Sequence, residues 1–156
     1  MLIGVLSDTH KLKGYIKNAC EHVKECDLII HLGDNVEDIE EIKQYYNGHI
    51  INVSGNCDYT KNIPSERLEI LDGKKFFITH GHNYNVKSSL INLKYKAMET
   101  GADVVLFGHT HIAAVIKEDG ILFINPGSVS MPRNGKNSIA IIEIINGNIE
   151  ANIKTI

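Results

Sequence analysis

The chain has 156 residues, of which 43% are hydrophobic and 22% charged. These proportions suit a chain with a real core and exclude long disordered stretches. Lys and Arg total 16 against 19 Asp and Glu, for a net charge of −3, and only Arg67 and Arg133 are arginines. Neither a nucleic-acid groove nor a basic membrane-binding face is therefore expected. No apolar run is long enough to span a bilayer, and the N-terminus lacks the charged and small-residue features of a secretory signal. Cys20, Cys26 and Cys57 are odd in number and widely spaced, which speaks against a disulfide framework and for a reducing cytoplasm.

In chain order, Leu2–Leu6 is an apolar strand candidate. Tyr15, Ile16, Ala19, Cys20 and Val23 then follow with the spacing of one helix face. Asp27–His31 is strand-like again, and Val36, Ile39 and Ile42 mark a second helix. A third strand covers His49–Val53. Asp72-Gly73, between Leu68–Leu71 and Phe76–Thr79, predicts a hairpin. Val86 to Met98 reads as a helix with Leu90, Leu93 and Ala97 inward, stopped by Gly101. Asp103–Phe107 is the next strand. Only strands follow: Ile112–Lys117, Ile121–Ile124, Ile139–Ile145 and Ile149 onward, turned by Asp119-Gly120 and Asn146-Gly147-Asn148. With no repeat, low-complexity tract or linker, residues 1–156 are expected to form one domain, a mixed sheet or two packed sheets covered by helices.

Polar residues concentrate where these strands end. Six apolar runs lead into Ser7-Asp8-Thr9-His10, Gly33-Asp34-Asn35, Gly55-Asn56-Cys57-Asp58, His80-Gly81-His82, Gly108-His109-Thr110-His111 and Asn125-Pro126-Gly127-Ser128. Parallel strands would carry most of these clusters to one rim, where open α/β sheets bind ligands. Each cluster alone reads as an ordinary turn or cap. Independent turns, however, have no reason to bear Asp, Asn and His repeatedly, so together they point to a metal site. His109 and His111 would face the same way in extended chain. His22, His31 and His49 lie outside the clusters and read as structural or solvent-facing.

Asp8-x-His10, Gly33-Asp34, Gly55-Asn56-x-Asp58, His80 and Gly108-His109-x-His111 resemble the motif series of calcineurin-like metallophosphoesterases, in order and across nearly the whole chain. Asn125-Pro126-Gly127-Ser128 and Pro132-Arg133 resemble its small bacterial and archaeal phosphodiesterase branch, the YfcE and MJ0936 type. The resemblance implies an α/β (α+β) fold, a four-layer αββα sandwich of two mixed β-sheets flanked by helices. It also implies two divalent metal ions. One would take Asp8, His10, Asp34 and His111; the other would take Asp34, Asn56, His80 and His109, with Asp34 and a hydroxide as bridges. Donors of this kind, with no thiolate, suit Mn²⁺ or Ni²⁺, and also Zn²⁺, Fe or Co²⁺. Such a pair generates hydroxide near neutral pH for attack on phosphorus.

Much of the family carries a His after the Gly-Asn pair as the leaving-group acid, and here that position is Cys57. A thiol is the poorer proton donor, which leaves His82 as a substitute acid or an orienting residue, and Asp58 as an orienting residue or helix cap. Asn35, Asn56 and Arg133 are expected on the substrate side. With Arg133 the only arginine near a motif, a singly charged diester suits the site better than a dianionic monoester. The expected activity is thus metal-dependent phosphodiesterase action on a small, nucleotide-like diester, not on intact nucleic acid or at a membrane. Phosphomonoesterase, dinucleoside polyphosphatase or protein phosphatase activity are alternatives on the same site. A protein-interaction role like that of the retromer scaffold subunit is the alternative from another class. The branch resemblance implies a homodimer or homotetramer.

Overall fold

The strand candidates Leu2–Leu6, Asp27–His31, Phe76–Thr79, Asp103–Phe107 and Ile121–Ile124 read as apolar runs because both of their faces are covered. The computed structural model describes residues 1–60, 62–133 and 135–156. β1 (Leu2–Leu6), β2 (Leu28–His31) and β3 (His49–Asn52) run parallel, and β9 (Ser138–Ile145) and β10 (Asn148–Thr155) complete a mixed sheet of order β10-β9-β1-β2-β3. The second sheet has five strands, in the order β4 (Glu66–Leu71), β5 (Lys74–Thr79), β6 (Val104–Leu106), β8 (Ile121–Asn125), β7 (Ala114–Glu118). In it β5, β6 and β8 are parallel, while β4 and β7 are antiparallel edges.

Side-chain alternation divides these strands among three cores. Ile3, Val5, Ile30 and Ile142 of the first sheet meet Phe76, Ile78, Val104 and Ile124 of the second. Leu6, Ile29 and Ile139 face the opposite way, onto Ile16, Ala19 and Val23 of α1 (Lys13–Val23) and Ile39 and Ile42 of α2 (Ile39–Ile42). On the far side, Phe77, Val105 and Phe123 cover Leu93 and Ala97 of α3 (Ile91–Thr100). The result is the four-layer αββα sandwich of two mixed sheets. All three expected hairpins have both central residues at positive φ: Asp72 and Gly73, Asp119 and Gly120, Asn146 and Gly147. That is the primed-turn geometry that follows strand twist. Among the described residues no helix is long and apolar enough to cross a membrane.

The helix expected over 86–98 starts later, at Ile91. Asn85 takes φ +53°, and the Ser89 hydroxyl accepts the Ile91 N–H at 3.0 Å, so the chain reaches α3 through turns. Val86 is still buried, so its apolar character serves packing without belonging to a helical period. The second helix is one 3₁₀ turn, Val36–Asp38, followed by the single turn of α2. Tyr15 faces solvent, unlike the other residues assigned to its face. β7 begins at Ala114, after Ile112, because the Ile112 N–H is bonded to the Thr110 hydroxyl.

Leu93 has no exposed surface, whereas Tyr95, two residues on and so on the opposite side of the helix, is 63% exposed. Leu93→Ala should therefore cost about 2–5 kcal/mol and Tyr95→Ala no more than about 0.5 kcal/mol. Urea unfolding of the two variants beside the parent chain checks the contrast.

Candidate functional site

The parallel strands of both sheets send their C-terminal ends to one rim, and backbone bonds extend the ladders into the loops. Asp8 N–H donates to Gly33 O at 3.1 Å, and Gly108 N–H donates to His80 O at 3.0 Å. Within these loops Asp8, His10, Asp34, His109 and His111 have φ of +56°, +48°, +58°, +65° and +59°. The left-handed region costs an L-residue roughly 1–2 kcal/mol. Its occupation at so many adjacent polar positions is the kind of strain that functional sites hold. It also corrects one expectation. His109 and His111 are not in extended chain and do not face the same way. The His111 ring lies 5.3 Å from that of His10, whereas the His109 ring lies 5.1 Å from that of His80.

Asp8, His10, Asp34 and His111 each offer a donor atom within 4.8 Å of the others. His111 Nε2 approaches Asp8 Oδ1 to 3.0 Å, and His10 Nε2 lies 3.9 Å from the same oxygen. Asp34 Oδ1 is 3.4 Å from His80 Nε2. Among the described residues, Asp8 Oδ1, His10 Nε2, His80 Nε2 and His82 Nδ1 are buried without a hydrogen-bond partner. Buried polar atoms are nearly always satisfied, so this convergence of unsatisfied donors fits a cation. The opposite ring nitrogens are fixed: His80 Nδ1 lies 2.8 Å from Leu32 O and His111 Nδ1 lies 2.6 Å from Met131 O. A carbonyl can only accept, so Nδ1 carries the proton and Nε2 presents its lone pair.

The electrostatics of Asp8 and His109 suit metal binding, while His111 is drawn toward its protonated form until a cation takes its place beside Asp8. Burial opposes ionisation of Asp8, but His111, His80 and the Ser7 hydroxyl outweigh it and hold the carboxyl below the usual range. The same carboxylate raises the His111 imidazole. Burial, helped by the neighbouring His80 and Lys87, lowers His109 to about 4, which keeps it neutral and able to ligate.

The remaining sequence candidates are placed less uniformly. Asn56 and Cys57 are exposed, and the Asn56 amide donates to Cys57 Sγ at 3.4 Å. Partial burial and the Asp34 carboxylate push the Cys57 thiol up to about 11, which makes it a weak acid for an alkoxide leaving group. His82 is half-buried, its ring 5.4 Å from His80 and 6.1 Å from His109. Asn35 stands beside Asp34 at φ +74°. Arg133 is exposed, and its backbone N–H donates to His111 O at 3.0 Å.

Both Asp58 oxygens are engaged, an arrangement that suits an orienting or capping role. Asp58 accepts from the N–H groups of Asp34 (3.0 Å), Asn35 (2.9 Å), Val36 (2.8 Å) and Gly55 (2.7 Å). It thereby caps the Val36–Asp38 turn and fixes the Asp34 loop from 24 residues away. Only glycine fits at Gly55, where a Cβ would stand 2.2 Å from Asp34 Oδ1.

Other supports come from residues that sequence reading singled out weakly or not at all. Ser128 and Ser130 hydroxyls both donate to Asp8 O, at 2.8 and 3.0 Å. Asn125 donates to Gly108 O and to the Thr110 hydroxyl. Under the Asp8 turn, Gly33 N–H donates to His31 Nδ1, so His31 Nε2 carries the proton toward the Thr9 hydroxyl. That hydroxyl donates in turn to Asp38 at 2.6 Å. His31 is thus structural, as expected. Asp38 had no motif to mark it.

Residues 1–147 match the calcineurin-like phosphoesterase superfamily domain. The chain is 39% identical over 134 residues to the probable metallophosphoesterase YsnB of Bacillus subtilis, covering 85% of this chain and 78% of that protein. It is 33% identical over 162 residues to the phosphodiesterase MJ0936 of Methanocaldococcus jannaschii, covering 92% of this chain and 93% of that protein. A predicted phosphoesterase from Streptococcus pneumoniae has the same structure at a TM-score of 0.84 with 29% identity, covering 99% of this chain and 88% of that one. Vps29 of Entamoeba histolytica, solved with zinc, has a TM-score of 0.76 at 17% identity, covering 99% of each chain. That last likeness is one of fold.

Removing the Asp58 carboxylate strands four N–H groups at once. Asp58→Ala should weaken divalent-metal binding about 10–100-fold and cost about 1–3 kcal/mol of stability. Asp58→Asn, which keeps one acceptor oxygen, should lose less of each; metal titration with parallel denaturation measures both.

Proposed function

Because this chain belongs to the calcineurin-like phosphoesterase superfamily, we propose that it is a metal-dependent phosphodiesterase with a binuclear centre, acting on small diesters. The observation that carries this reading is the set of buried, unsatisfied donor atoms of Asp8, His10 and His80 converging beside Asp34 and His111. Asp8, His10, Asp34 and His111 would hold one ion, and Asp34, Asn56, His80 and His109 the other. Mn²⁺ or Ni²⁺ suits these nitrogen and oxygen donors best, with Zn²⁺, Fe or Co²⁺ as further fits. When bound, such a pair supplies Lewis-acid charge and an activated water for attack on phosphorus.

The chain's own residues do the rest. Leu32 O and Met131 O hold the His80 and His111 tautomers, so neither ring must reorganise. Asp58 keeps Asp34 in its strained loop. Arg133, with Asn35 and Asn56, stands on the solvent side to orient a monoanionic diester. His82 is the group we assign to proton delivery at the leaving oxygen, since it flanks His80 and His109 and Cys57 is the weaker acid. The exposed apolar residues Ile91, Tyr95 and Met98 along α3 support a homo-oligomer. Three free cysteines support a cytoplasmic setting. A scaffold role shares the fold, but the ligand set here is complete, which favours the enzyme.

Asp34→Asn should abolish hydrolysis of bis-p-nitrophenyl phosphate by Mn²⁺- or Ni²⁺-loaded protein and lower the number of ions bound. Equal turnover of p-nitrophenyl phosphate would sink the diester preference, and a failure to take up metal would favour the scaffold. His82→Ala should slow methyl-ester leaving groups at least about tenfold more than p-nitrophenolate, which leaves without a proton. Equal losses for the two would remove His82 as the acid.

A further inference from the structure

A cavity of about 490 Å³ opens next to the metal-ligand rim. Its wall is apolar, formed by Val86, Leu90, Phe107, Ile112 and Ala114. It adjoins the site through Thr110, which lies between His109 and His111 in sequence, and through Arg133, whose N–H holds His111 O. Among the described residues, Lys87 and Arg133 are its only charged lining groups, and both are exposed. These residues come from three separate stretches, 86–90, 107–114 and 133, so no motif announces the cavity.

The lining restricts the occupant. A short alkyl ester would leave the apolar wall in contact with water, and a lipid-sized ester would outgrow the space. A nucleoside falls within the volume range of small-molecule sites. A guanidinium plane at the mouth, as on Arg133, stacks on flat aromatic rings. Two cations, with no carboxylate among the described lining residues, favour an anionic ligand over a neutral one.

Resting on the phosphodiesterase reading, we propose that this cavity is the subsite for a nucleoside-type ester group. The base enters against Val86, Leu90, Ile112 and Ala114, the Arg133 guanidinium covers it, and Lys87 offsets the phosphate charge. The substrate class is then nucleoside phosphodiesters, with the scissile phosphate at the metal rim.

The test compares thymidine 5′-(p-nitrophenyl phosphate) with methyl p-nitrophenyl phosphate, two monoanionic diesters with one leaving group. The metal-loaded parent chain should show a kcat/KM at least about tenfold higher on the thymidine ester. Ala114→Phe, which fills the cavity, and Ile112→Asp, a surface change that places a carboxylate at its wall, should each lower that ratio about tenfold. Circular dichroism identifies a variant that has not folded, and the other then decides. A parent ratio near one, or a ratio that neither variant lowers, overturns the subsite. If the parent hydrolyses neither diester, the phosphodiesterase reading fails, and calorimetric titration with thymidine 5′-methylphosphonate tests the cavity separately. Binding that Ala114→Phe or Ile112→Asp weakens at least about tenfold keeps it; absent or unchanged binding removes it.

Discussion

Two carboxylates, Asp8 and Asp34, are buried within 4.8 Å of each other's donor atoms, and the chain must hold them there. Among the described residues their only ion-pair partners are imidazoles, from His10, His80 and His111. Burying like charges at this distance is strongly unfavourable without compensation. Backbone and hydroxyl groups provide part of it: Ser7 donates to Asp8, and Cys57 N–H donates to Asp34. The remaining donor atoms are left open, as a cation site requires. Most other features of the molecule follow from keeping this arrangement in place.

Holding it calls on both sheets. Asp8 and Asp34 leave the first sheet, while His80, His109 and His111 leave the second, so the site exists only when the two inner faces are packed. The loops adopt left-handed conformations that no isolated segment would favour. Asp58 bonds the Asp34 loop, Ser128 and Ser130 bond the Asp8 carbonyl, and Asn125 bonds the Gly108 carbonyl, each reaching across at least 17 residues of chain. Stability of the sandwich is thereby converted into local strain at the rim, a division of labour seen wherever a functional site is preorganised. The three cores and the site are thus parts of one energetic arrangement.

Much of this was legible in the residues because strand ends carry their signature locally. A buried strand is an apolar run, and a polar cluster immediately after it can serve only the rim, whatever sheet it joins. The Asp72-Gly73, Asp119-Gly120 and Asn146-Gly147 hairpins were legible for the same reason, since their backbone demands lie in two residues. Legibility failed where a side chain's purpose is set by a distant partner. Val86 looked like the first turn of a helix because burial alone does not distinguish helix packing from loop packing. Asp58 was legible as an orienting or capping residue, but not its target: three of its four N–H partners lie on the Asp34 loop, 22 to 24 residues away. Asp38 carried no signal, because its partners Thr9 and Lys11 lie 29 and 27 residues away.

By itself the sequence determined the element order, sheet covered by helices, and the kinds of donor atom available at the rim. Each of these depends on hydrophobic period, turn chemistry and residue type within a few positions. Tertiary structure decided how the histidines divide, with His111 beside His10 and His109 beside His80, and which ring nitrogens are tied to carbonyls. It also decided that an apolar cavity lies beside them, assembled from residues spread between Val86 and Arg133. The physical reason is that chain-distant groups acquire distance and direction only when the two sheets pack.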